Sequence, residues 1–531
     1  EPRYEGEPIL ALAAVDEATA AEAIELIRLD LEPLPFVLDP LESLRPGGPD
    51  AWTTGNVLVE GEMKSLKWDG VDFSTVAQGQ LPMGEVTAEW AVGDVEAGFA
   101  QADYVLDETI VHQTQTHHPL ESRTTLAYWQ NGKLFAHLSV QSAARMRASL
   151  ASAMDLALED VVVIAEYCGG GFGSKITGSP IMLVAPHFAR KLGRPVMLRI
   201  TRYEETYLGR SRPGFQARAR FGFRSDGRIT ALDLFIVEDH GSYGGGGDFG
   251  TAGNLAHLMY QPENMRMRAV PVFTNTPPRA AQRGPGGVQI VAILEPLMDK
   301  AARDLGMDRL ALRRVNAPRN GATFGPRATS LTSIHVHEAL DMGERVFNWE
   351  EKKTWSGRRE GTRVTGVGVG VSPYTAGSIG FDGLLIIRPD GKVAIHQGPG
   401  NLGTHSVMDT ARAAADVLGV PWEQVEVSWG DSRRGLPWSC TQGGSQTAHA
   451  HTRANHAAGL DAKRKIQEVA ARTLGGTAEA YDVDGGRVFL RGNRSRGMSL
   501  GQVAQRAIEL GGRYDGHVLP EDIHAMTVEA A

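Results

Sequence analysis

Apolar residues recur at three- and four-residue steps most clearly over 288–304, where Val291, Leu294, Met298, Ala301 and Leu305 share one face. That period predicts an amphipathic helix. The same reading gives an Ala-rich helix over 16–28, with Glu22, Glu25 and Arg28 on its polar side, and further helices over 405–418 and 447–473. Two helices carry boundary signals. Ser142 is an N-cap for a helix reaching Met154, and Ser179-Pro180 opens a helix that Gly193 stops. Short apolar or alternating runs predict strands at 105–111, 124–129, 134–140, 161–166, 196–201, 214–223, 229–240, 364–371, 384–388, 392–396 and 423–429. The run Pro8-Ile-Leu-Ala-Leu-Ala-Ala-Val15 reads as a buried strand, 35–60 as a linker, and 474–531 as mixed. Strands and helices alternate irregularly, which predicts an α+β fold.

Composition narrows the partners. The 531 residues are 42% apolar and 22% charged, with a net charge of -9, as expected of a soluble globular chain of several domains. No basic run appears, which argues against a nucleic-acid partner. No apolar stretch reaches the ~18 residues of a membrane span. The opening residues lack the basic and apolar regions of a signal peptide, so a cytoplasmic setting is expected. Cys168 and Cys440 are the two cysteines, too few for a four-cysteine iron–sulfur or zinc site.

The 63 glycines gather in clusters at 169–173, 244–247, 284–287, 398–403 and 443–444, a distribution that suits loops approaching something closely. Cys168-Gly-Gly-Gly-Phe-Gly-Ser-Lys175 follows a predicted strand and precedes a helix. It fits neither a P-loop, which needs Gly-Lys-Ser/Thr, nor the complete dinucleotide fingerprint. A tight turn, a cofactor cradle and a nucleotide site all remain open on local grounds. Arg283, before a glycine turn that opens the strongest helix, suits an anion or a surface turn equally. Gly398-Pro-Gly-Asn-Leu-Gly-Thr-His405 and Trp438-Ser-Cys-Thr-Gln-Gly-Gly-Ser-Gln446 are amide-rich and read as capping loops or ligand cradles. His117-His118 and His449-Ala-His451 lack metalloprotease spacing. Glu121 reads as structural, and Cys168 as a buried thiol.

Taken in order, these clusters resemble the molybdenum-binding portion of the xanthine oxidase/aldehyde oxidoreductase family. Arg3-Tyr-Glu-Gly-Glu-Pro resembles the family's VRYVGDP, and Gly93-Asp-Val-Glu-Ala-Gly-Phe resembles GDVEAAF. His117-His118-Pro-Leu-Glu121 resembles HAPMEP, Gly169 to Lys175 resembles GGGFGGK, and Gln282-Arg283-Gly-Pro-Gly-Gly resembles FRGFGG. The resemblance covers most of 3–320 and thins beyond. It implies a first molybdenum-cofactor-binding domain over 1–330 and a partial second over 331–531, continued in a partner chain. It implies molybdopterin with molybdenum, as the pterin itself or its cytosine dinucleotide. Gln141, 31 positions before Phe172, would hydrogen-bond an oxygen ligand of the metal, and Phe172 and Gly173 would turn amides toward one. Arg283 would stand beside the metal pocket as a second catalytic residue. Gly170, Gly171, Gly403, Thr404, Gly443, Gly444 and Ser445 would contact the cofactor.

Departures from the family bear on chemistry. Where purine-handling members carry glutamate and a second arginine, this chain has Ile176 and, near it in the alignment, Thr251. Where carbon-monoxide-oxidising members carry cysteine, it has Gly284. The family's C-terminal Gly-Glu-Pro glutamate, which acts as base, has no counterpart, because Gly6-Glu7-Pro8 belongs to the opening segment. The resemblance thus implies hydroxylation of an electron-poor carbon in an N-heterocycle, aldehyde or related small molecule. Water would supply the oxygen and a partner chain the glutamate. [2Fe-2S] and FAD centres would sit in separate iron–sulfur and flavin subunits. Reduction or dehydroxylation of an aromatic substrate, and a non-catalytic scaffold, are the alternatives.

Overall fold

The computed structural model describes residues 1–176, 179–244, 247–377 and 380–514. The chain forms two compact units, each assembled from separated segments. One comprises 1–9, 29–117 and 210–375, and the other 10–28, 118–209 and 376–531.

The first unit is built on a five-stranded sheet, ordered Ala88–Val92, Met265–Phe273, Ile229–Gly241, Gly214–Phe223, Tyr104–His112. Ile229–Gly241 pairs in parallel with Met265–Phe273 and antiparallel with Gly214–Phe223. The parallel pair needs a crossover, and the helix Phe249–Tyr260 provides it. Burial on both faces explains the apolar stretch Leu234-Phe-Ile-Val237 at the centre of Ile229–Gly241. Leu232, Leu234 and Ile236 pack with Ile290, Ile293, Leu294 and Leu297 of the helix Gly287–Asp304. Phe235 and Val237 point the other way, onto Leu41, Leu44, Trp68 and Leu81.

The second unit holds a four-stranded sheet, ordered Val161–Ile164, Lys133–Leu138, Thr124–Gln130, Val196–Arg199, packed on the helices Ala143–Met154 and Ile181–Leu192. Its other core places the strands Leu384–Ile387, Val393–Gln397 and Val425–Trp429 with the helices Arg412–Leu418, Thr452–Leu474 and Leu500–Leu510. The four-stranded sheet connects to the end of Val425–Trp429 at an Ile164–Asp431 bridge, and a third sheet, of Tyr481–Asp484, Arg487–Leu490 and Asn493–Ser499, completes the unit.

The α+β expectation holds, and several local expectations change. Residues 8–15 form no strand: Ile9 is 48% and Val15 93% exposed. Apolar content alone does not make a strand, which also needs a neighbour to complete its ladder. Of 364–371 only Val364 lies in a strand, Arg363–Val364, with Thr365 adding backbone bonds to Arg358 and Gly357; beyond it Gly366, Gly368 and Gly370 leave one side of the run without side chains. The helix expected over 405–418 is two, Ser406–Asp409 and Arg412–Leu418. A wide π-type turn, Thr447–His451, precedes Thr452–Leu474. The helix after the glycine loop starts one residue later than expected, with Pro180 in the cap position. The end of the mixed tail, 515–531, lies outside the described residues.

Candidate functional site

In the second unit the chain leaves Val161–Ile164 and runs into the glycine loop. Gln141 lies just before the helix Ala143–Met154, whose N-cap Ser142 accepts from Arg145 N. Gln141 is 3% exposed. Its Oε1 accepts from Gly173 N at 2.8 Å and Lys175 N at 3.2 Å. Its Nε2 donates to Gln442 O at 2.7 Å. Two backbone donors at one atom and a carbonyl at the other fix the amide's orientation. An amide nitrogen carries two protons, and the second has no acceptor among the described residues.

Gln141 therefore bolts the glycine loop to the loop at 438–446. A Cβ on Gly171 would stand 2.4 Å from Gln141 Oε1, so no larger residue fits there. Phe172 adopts a φ of 53°, uncommon for a residue with a side chain, and is 41% exposed. Gly173 spends its amide on Gln141, which corrects the expectation that this N–H faces outward. The amides of Gly170, Gly171 and Phe172 have no acceptor among the described residues.

Glu121, Ser139 and Lys175 brace the loop from below. Glu121 Oε2 accepts from Gly169 N at 2.6 Å and Ser139 Oγ at 2.7 Å. Lys175, fully buried, donates to Glu121 O at 2.7 Å, and burial lowers its pKa. Burial pushes the Cys168 thiol up, so it stays protonated. A buried Arg123–Glu205 ion pair adds a bond from Arg123 to Ser174 O.

The later loops arrive at the same place. Cys168 N donates to Asn401 O at 2.9 Å, and Gln442 Nε2 donates to Gly400 O. Gly403 and Thr404 stand further out, both exposed, with the Thr404 hydroxyl 3.0 Å from Ser406 Oγ. Gly443 lies against Ile176: a Cβ there would come within 3.2 Å of Ile176 Cδ1. Gly444 and Ser445 have φ of 62° and 56°, are exposed, and keep amides without an acceptor among the described residues. The structure thus gathers Gln141, 168–176, 400–401 and 442–445, and leaves Thr404 at the margin.

Arg283 belongs to the first unit, where its side chain is exposed. Its loop is held by Arg212, which is 3% exposed. Arg212 donates to Gln282 Oε1 at 2.9 Å, Arg283 O at 2.7 Å, and Gly284 O and Gln289 Oε1 at 3.1 Å each. Gly286 of this loop packs on Thr251. Sequence reasoning missed Arg212 and Gln442. Arg212 sits in no recognisable motif, Gln442 lies unmarked within the amide-rich loop 438–446, and both act through contacts distant in sequence. Glu7 is committed to Tyr243 Oη and Arg3 N in this unit. His117 Nε2 faces Ala281 O at 3.0 Å, and His451 is buried in the second unit's core.

Two models described as molybdopterin cofactor-binding domains match the chain, at residues 80–317 and 342–525. The xanthine dehydrogenase molybdenum-binding subunit of Escherichia coli O157:H7 is 25% identical over 499 residues, 92% of this chain and 62% of that protein. The aldehyde oxidoreductase molybdenum-binding subunit PaoC of the same strain is 28% identical over 463 residues, 84% of this chain and 61% of that protein. Quinoline 2-oxidoreductase from Pseudomonas putida 86 shares the fold, with a TM-score of 0.74 at 22% identity over 94% of this chain and 63% of that one. The chain spans under two thirds of the length of the curated relatives it matches. Among the described residues no helix is long and apolar enough to cross a membrane. With two cofactor-binding domains along it, the chain belongs to the molybdenum-cofactor-binding subunits of the xanthine oxidase/aldehyde oxidoreductase family.

Proposed function

We propose that the cradle around Gln141 holds the acceptor-rich face of a molybdopterin-type cofactor, and that the protein hydroxylates an electron-poor carbon with water as the oxygen source. The observation that carries this is the unspent Nε2 proton of Gln141, together with the open amides of Phe172, Gly444 and Ser445 on the two loops that Gln141 joins. These donors suit oxygen ligands and pterin edges, and the close approach at Gly171 lets backbone and ligand meet. The two-electron redox chemistry would come from the bound cofactor. Gln141 orients an oxygen by donating to it, and the fixed amides stabilise negative charge there. Arg283, on its Arg212-braced loop in the first unit, is assigned as a second catalytic residue. Gly170, Gly171, Gly443, Gly403 and Thr404 shape the cradle and its rim.

Ile176, where a purine-type glutamate is absent, gives the pocket an apolar wall beside Gly443 and favours N-heterocycles or aldehydes over purines. Glu121 already receives three donors, so it is unsuited to act as base. The base is assigned to a partner chain carrying Gly-Glu-Pro, and electron transfer to iron–sulfur and flavin subunits. The boundary near 330 divides the two cofactor-binding domains, the cofactor is the cytosine dinucleotide form or the simple pterin, and the setting is the cytoplasm. Turnover of a panel of N-heterocycles and aldehydes in heavy-oxygen water tests the reaction. Heavy oxygen in the product is expected; product oxygen drawn from dioxygen contradicts it.

A further inference from the structure

A group of buried polar side chains in the second unit takes no part in the cradle. Gln397 ends the strand Val393–Gln397. His451 closes the turn Thr447–His451, and Asn455 follows one helical turn later on Thr452–Leu474. Ser439 lies on the loop leading to Gln442. All four are fully buried. Contacts bring them together. Asn455 Nδ2 donates to Gln397 Oε1 at 3.3 Å. A Cβ on Gly398, next to Gln397, would stand 2.7 Å from Ser439 Cβ. Phe381 bridges by backbone to Ser439 and packs its ring 5.1 Å from the His451 ring.

Each of the four keeps a polar atom with no partner among the described residues: Gln397 Nε2, Ser439 Oγ, His451 Nε2 and Asn455 Oδ1. Thr441 Oγ1, two residues beyond Ser439, is in the same condition. Folded proteins seldom leave buried polar atoms unpaired, and a cluster of them calls for something that pairs them. The amide assignments do not create the cluster. Exchanging O and N in both amides still leaves one donor and one acceptor unpaired.

The chemistry selects the occupant. The set offers an amide donor, an amide acceptor, a hydroxyl that serves as either, and an imidazole nitrogen. Thr410 Oγ1 lies 3.2 Å from the other ring nitrogen, Nδ1. None of the four side chains brings a fixed charge, so an ion finds no counter-charge among them. Water, which needs two to four polar partners, matches the set.

We infer that Gln397, Ser439, His451 and Asn455 form a sealed hydrogen-bonding site for ordered water behind the Gly398–His405 loop. Bridging water there ties the end of Val393–Gln397, and with it the root of that loop, to the long helix. This does not depend on the cofactor reading. A high-resolution crystal structure of the full chain tests it directly. One or more waters within hydrogen-bond distance of at least two of the four unpaired atoms are expected. A dry site, or direct pairing among the four side chains, overturns it. A Gln397→Leu/Asn455→Leu variant provides an independent reading by thermal unfolding. In a wet site these changes strip water of its partners, and Tm falls by several degrees. In a dry one they remove unpaired groups, and Tm rises.

Discussion

Gln141 accepts two backbone protons at one amide atom and donates one at the other, so its two ends do separable work. Gln141→Glu keeps an acceptor for Gly173 and Lys175 but sets a carboxylate against Gln442 O and loses the outward donor. A fall of about a hundredfold in kcat is expected, in line with removing one donor from a charge-stabilising site, with KM less affected. Unchanged turnover in steady-state kinetics contradicts the role given to Gln141. His451 makes a different prediction. Burial alone pushes its pKa down to about 4 from 6.5, so the unfolded chain takes up this proton at higher pH than the folded one. Above about pH 6.5 the group leaves stability unchanged; between 6.5 and 4 it costs stability; below 4 the loss is constant, on the order of 3 kcal/mol. Urea unfolding at pH 7 and pH 4.5 should show a smaller acid loss in His451→Gln than in the native chain. Equal losses contradict this.

At the scale of elements, the cradle depends on how tightly its loops are pinned. Gly171→Ala drives a methyl into Gln141 Oε1, so the loop must shift. Cofactor content should drop sharply while circular dichroism stays native; full retention of cofactor contradicts the close approach. Glu205→Gln leaves Arg123 charged and unpaired at about 1% side-chain exposure, and should cost about 3–5 kcal/mol in denaturant unfolding. Elements with strong periodicity or caps were legible in the sequence. Gly287–Asp304 and the Ser142-capped helix fall within a residue of expectation, because their signals are local. The helix Phe249–Tyr260 and the strand Met265–Phe273 were not foreseen. Both are defined by packing on Ile229–Gly241, which no short window reveals. Residues 8–15 failed for the converse reason: an apolar run needs a sheet to join.

For the whole molecule, each unit draws on separated stretches of chain, so neither compact body is a single linear segment. The site was partly legible for a related reason. Glycines that must admit a close approach, and a glutamine at fixed spacing from them, leave marks in sequence. The bond from Gln141 to Gln442 across 301 positions and the reach of Arg212 over 71 positions to the Arg283 carbonyl leave none. The two cysteines of these residues are too few for a four-cysteine iron–sulfur centre, so the proposed electron transfer draws on centres outside them. Mass spectrometry of the native complex should find a Gly-x-Gly-Glu-Pro segment, which is distinct from Gly6-Glu7-Pro8 of this sequence, on a co-purifying chain; a complex lacking one contradicts the borrowed base. The most direct test of the central claim is elemental analysis of that native complex for molybdenum. Close to one molybdenum per chain is expected, and less than about a tenth of that would contradict the molybdenum-cofactor site.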